Sequence, residues 1–198
     1  SVNGSATTKI DGSSTSGSVV SVVSGETSAI LDGFNVRNGS TNNGSGIYIS
    51  NSTLSVLNCE ITNNHSGSNG GAIFVDTGYL SLTEVRVHKN ISKGAGGGIY
   101  MKYSNGTMIG GRVSLNTALN GGGIYLKDGD DTFVMEDVLL ENNIATSNGG
   151  GLYTKNTSIS IDNSDVLTNS ANRGGGVFAW SEGNGTIANT VFVGNTAV

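Results

Sequence analysis

The chain has 198 residues, of which 32 are glycine and none is proline, and its 10 basic against 15 acidic side chains leave a net charge of −5. That balance excludes a basic nucleic-acid binder, whose phosphate contacts come from Lys and Arg, and the missing proline excludes a collagen-like chain. A single cysteine, Cys59, allows no internal disulfide and no cysteine-based metal site.

Residues 1–9 are polar and have no coil of their own. With neither an initiator Met nor a signal peptide, the opening at Ser1 reads as a processed or excised piece of something larger. Residues 18–23, 28–31 and 33–36 carry short apolar alternations that predict an irregular first coil, so 1–43 forms an N-terminal segment and 44–198 the regular repeats of one continuous domain. Apolar runs of a few residues fall far short of the ~20 needed for a transmembrane helix.

From Gly44 onward one phrase recurs. Ile47, Ile73, Ile99, Ile124, Leu152 and Val177 each precede an aromatic residue, at intervals of 26, 26, 25, 28 and 25 residues. A second phrase follows each, an apolar residue three before an asparagine: Ile61 and Asn64, Val87 and Asn90, Val113 and Asn116, Leu139 and Asn142, Val166 and Asn169, Phe192 and Asn195. Between them lie alternating stretches such as Leu54-Ser55-Val56 and Ile159-Ser160-Ile161, whose period of two is that of a strand. Three short strands per coil, with Gly, Asn and Ser at the corners, predict an all-β fold: a parallel β-helix of about seven coils of about 26 residues. No segment shows the 3.6-residue period of a helix.

The aliphatic positions and their neighbours two residues on, Ile49, Val75, Met101 and Leu126, share an apolar face and point inward. Tyr48, Phe74, Tyr100, Tyr125, Tyr153 and Phe178 therefore point outward and, with Trp180, form a stripe expected to contact a ligand or a second copy, with Lys102, Lys127 and Lys155 beside it for cation–π support. The asparagines are expected to combine left-handed corner geometry with amide stacking from coil to coil.

Residues 44–198 resemble the repeat region of right-handed parallel β-helix surface proteins, notably the polymorphic outer-membrane-protein adhesins, whose hallmarks are G-G-A-[ILV] and F-x-x-N. Gly70-Gly71-Ala72-Ile73 and Phe192-Val193-Gly194-Asn195 carry those phrases literally; other coils replace Ala by Gly and Phe by Ile, Val or Leu. The resemblance implies an exported, extracellular or cell-surface protein and carries over no catalytic residue.

Polysaccharide lyases and hydrolases also use this fold, so acid–base clusters matter. Glu60, Arg86 and Arg112 align in one column, continued by Val138, Asp165 and Val191, with Glu84 nearby. Such a set offers a base beside cations that neutralise a uronate, or else a cross-strand charge ladder, and the ladder is the expectation. His88, beside Thr62 and Ser114 with no carboxylate in its column, reads as a solvated surface side chain, and Asp128-Gly129-Asp130-Asp131 as a solvated turn rather than a calcium site. No catalytic residue, metal or cofactor is expected. Sequons occur at Asn3, Asn38, Asn43, Asn51, Asn64, Asn90, Asn105, Asn156 and Asn184; Asn51, Asn105, Asn156 and Asn184 follow the aromatic strand and are the candidate glycosylation sites.

These features predict a structural or adhesive surface module, open to fibre formation because Thr190-Val191-Phe192-Val193 is apolar and uncharged at the chain's last coil. The expected partners are further copies, other surface proteins or glycans, and not nucleic acid. A carbohydrate-binding module or a lyase-like enzyme is the alternative.

Overall fold

The computed structural model describes residues 8–14, 16–181 and 183–198, which form 26 β-strands and no helix. Of the polar segment 1–9, residues 1–7 lie outside the described residues, while Lys9, expected to have no coil, begins a paired strand. All strand pairs are parallel, and each strand pairs with its counterpart one coil on: Ile61 with Val87, His65 with Ile91, Ile73 with Ile99. The strands sort into three sheets of eight, eleven and seven strands. In one coil the chain runs through Glu60–Thr62 in the first sheet, His65–Asn69 in the third and Ile73–Thr83 in the second. The result is a parallel β-helix.

Strands earlier in the chain join the same stack. Lys9–Asp11 pairs with Asn35–Arg37, Val20–Val22 with the start of Ile47–Leu57, and Ala29–Asp32 with its end.

The core follows from alternation along each short strand. Val36, Ile61, Val87, Val113, Leu140 and Val166 line the first sheet with no exposure. Ile47, Ile73, Ile99, Ile124 and Leu152 face them from the second sheet, equally buried. The third sheet contributes small buried residues, Ser66, Ser92, Ala118, Ala145 and Ala171, so the coil is narrow there. Size is also balanced along a column: Phe133, the largest side chain buried at the 2% level, lies one coil beyond Gly106, whose neighbour Thr107 pairs with Val134.

Each regular coil turns at corners held by left-handed residues. One column reads Asn63, Lys89, Leu115, Asn142, Thr168 and Gly194, with φ between 52° and 67°. A left-handed non-glycine residue costs roughly 1–2 kcal/mol. At the corner leading into the aromatic strand the residue is glycine, and at Gly96 the reason is steric: a Cβ there would stand 2.4 Å from the Ile99 carbonyl oxygen and 2.8 Å from the Tyr100 Cβ.

Two expectations need correction here. The asparagines three beyond the inward residue do not occupy the left-handed position; the residue before each does, whatever its type. In the fourth regular coil the inward residue is Leu140 and the stacked amide is Asn143, not Leu139 and Asn142. Leu139 therefore takes the outward register after Arg112, where Val138 was expected, and Val138 is buried.

Candidate functional site

The aromatic stripe is a ladder of stacked rings. Successive centroids from Tyr48 through Phe74, Tyr100, Tyr125 and Tyr153 to Phe178 lie 5.5, 5.0, 5.1, 4.6 and 5.4 Å apart, the first four pairs within 8° of parallel. The spacing is set by the strand separation of the sheet, ~4.8 Å, so identical positions in consecutive coils stack without adjustment. Stacking covers the faces: Phe74, Tyr100 and Tyr153 are buried, while Tyr48, Tyr125 and Phe178 are half-buried. Only Trp180, 6.1 Å from Phe178, is broadly exposed, at 49%. The stripe thus points outward, as expected, with its rings stacked on one another and their edges presented. Burial pushes the Tyr100, Tyr125 and Tyr153 hydroxyls above the ordinary tyrosine range.

The lysines stand on the outer side of the same strands, in the register Asp76, Lys102, Lys127, Lys155, Trp180. Lys102 pairs with Asp76 at 2.9 Å and lies over Tyr103, not over the stripe. The cation over the stripe is Arg173, 5.5 Å from the Phe178 centroid.

The outer face of the first sheet carries the second constellation. Strand pairing sets Asn35, Glu60, Arg86 and Arg112 in one column, and Arg37, Thr62, His88 and Ser114 in the next outward column. Glu60 is shared diagonally: Oε1 meets His88 Nε2 at 2.7 Å, and Oε2 accepts from the Asn35 side-chain amide. Arg112 pairs with Glu141 one coil on. Glu60, Arg86 and Arg112 stand in the expected cross-strand register, but Glu60 is bonded to His88 and Asn35, and Arg86 is exposed with no side-chain partner among the described residues. His88 is correspondingly no solvated side chain; its exposure is 16%. Among the described residues, the buried side-chain polar atoms without a hydrogen-bond partner are Asn35 Oδ1, Thr62 Oγ1 and Arg112 Nε. All three lie on this face.

Other candidates separate. Asp128 accepts from Asn156 and Asp131 from Asn105, so the acidic turn is tied to the coils on either side of it. Glu84 sits at the left-handed corner before Arg86, with φ 52°. Of the sequons, Asn51, Asn156 and Asn184 are exposed and Asn105 is half-buried. Asn51 and Asn156 occupy left-handed corners, whereas Asn105 lies in register with Tyr79, beyond that corner. Asn64 and Asn90 are buried in the amide ladder, and Asn3 lies outside the described residues.

The alignment of coils was readable in sequence. Asn35, Thr62 and Glu141 were not singled out there, and the Glu60–His88 contact escaped because it crosses from one column to the next.

The Chlamydia polymorphic membrane protein repeat matches residues 58–76 and 137–155. Each match runs from the corner before a first-sheet strand, through a ladder asparagine (Asn64 or Asn143), to the start of an aromatic strand at Phe74 or Tyr153. Neither the curated proteins nor the solved structures yield a match. The repeat points to an outer-membrane or cell-surface protein. The chain is thus a parallel β-helix whose coils at 58–76 and 137–155 are similar to the Chlamydia polymorphic membrane protein repeat.

Proposed function

We propose that the chain is a non-catalytic structural and adhesive module of a cell surface that associates with further copies of itself. The observation that carries this reading is the unbroken ladder of rings and amides, which no inserted loop interrupts between Tyr48 and Phe178. Such a stack is a rigid, repeating wall, suited to presenting edges and ends rather than to enclosing a substrate. At its last coil the wall leaves Trp180, Ile187, Phe192 and Val193 between 43% and 58% exposed. This is the surface that a succeeding coil or a second copy occupies.

Incubation with uronic-acid polymers, with and without calcium, tests the non-catalytic part. No new unsaturated or reducing ends are expected. Turnover abolished by Glu60→Gln would replace this reading with that of a lyase-like enzyme.

A further inference from the structure

We propose that the outer face of the first sheet, around Asn35, Glu60, Thr62, Arg86, His88 and Arg112, binds an acidic sugar. The inference goes beyond self-association and does not rest on it. Asn35 is 8% exposed and Thr62 5%, yet each keeps a polar atom without a partner, as does the Arg112 guanidinium at Nε. A buried polar atom left unpaired costs about 1–3 kcal/mol. Three such atoms fall on one face while the amide ladder a few residues away is fully paired.

The unpaired set is chemically mixed, and that mixture selects the ligand. Asn35 Oδ1 is an acceptor and needs an O–H or N–H donor. Arg112 Nε is a donor, and Thr62 Oγ1 serves as either. Arg86, exposed one coil beyond Glu60, supplies a guanidinium whose planar fork suits a carboxylate. Glu60 makes no side-chain contact with it and is bonded instead to His88 and Asn35. Asn35 and Arg112 stand three strand spacings apart, ~14 Å, so a ligand meeting all four groups is an extended chain that carries anions and hydroxyls along its length, as a short oligouronate does. A simple anion leaves Asn35 Oδ1 unmet, and a neutral sugar leaves Arg86 unmet. Arg86 and Arg112, the long and partly exposed side chains of this face, move to admit the ligand, while the short ones stay in place.

Calorimetric titration of the full chain tests this, with trigalacturonate as the probe and neutral maltotriose and poly-glutamate as comparators. The expected result is binding of trigalacturonate alone, weakened by salt, by about tenfold in Arg86→Gln and a few-fold in Thr62→Val. Both substitutions are near-isosteric or exposed, and unchanged circular dichroism confirms the fold. No binding by the wild-type chain, undiminished binding by Arg86→Gln, or equal binding of poly-glutamate overturns the proposal. Arg86→Gln leaves self-association unchanged, so failure here and failure of the association reading are separate results.

Discussion

The side-chain amide of Asn90 donates to Oδ1 of Asn116 at 3.0 Å, and the Asn90 backbone N–H donates to the same oxygen at 3.0 Å. The relation repeats from Asn64 to Asn90, from Asn116 to Asn143, from Asn143 to Asn169 and from Asn169 to Asn195. Each amide also donates to a carbonyl in the preceding first-sheet strand, as Asn90 does to Ile61 and Asn116 to Val87. Every polar atom of these buried side chains is used, and the amides polarise one another along the axis.

Asn116→Ala removes the acceptor for two Asn90 donors and the donors to Val87 and Asn143. The expected loss is about 3 kcal/mol or more, since several buried groups lose their partners together. Leu115→Gly, one residue earlier, relieves a left-handed leucine at φ 56° and should gain about 1 kcal/mol. Shifts of the urea midpoint in opposite directions check the pair.

Stability should fall on the alkaline side. Burial raises the Tyr100, Tyr125 and Tyr153 hydroxyls above their ordinary value of 10.0, so the folded chain holds protons that the unfolded chain releases. Their contribution is complete below pH 10 and is lost as pH rises from there through the folded values. Tyr125→Phe, which cannot ionise, should show a shallower loss above pH 10 in denaturant titrations across that range.

Glycan occupancy should follow exposure. In a secretory host that modifies sequons, the exposed Asn51, Asn156 and Asn184 should carry glycan, and Asn64 and Asn90 none, because both are fully buried in the amide ladder. Peptide mapping by mass spectrometry reads this directly. Full occupancy at Asn90 would mean that the amide ladder does not form.

The coil period, the inward aliphatic columns and the outward sense of the rings were legible because strand alternation and coil spacing are properties of the chain itself. The doublet Asn142-Asn143 was not, since Leu139 and Leu140 both stand three residues before an asparagine. Hydrogen bonding decides it: Asn143 is bonded into the ladder, and Asn142 takes the left-handed corner at φ 52°. The near-closure of the ring faces depends on contact between coils, as between Tyr125 and Tyr153 at 4.6 Å. The pairs Glu60–His88 and Arg112–Glu141 are diagonal contacts, which a column-by-column alignment does not bring together.

Sedimentation velocity over a wide concentration range tests the central claim, self-association of a surface β-helix, most directly. The account predicts that average mass rises with concentration for the wild-type chain. Val191→Glu and Val193→Lys, which place charge at the two outward positions of the last first-sheet strand and leave the inward Phe192 in place, should return it to a monomer with unchanged circular dichroism. A wild-type chain that sediments as one monomeric species throughout would contradict the account.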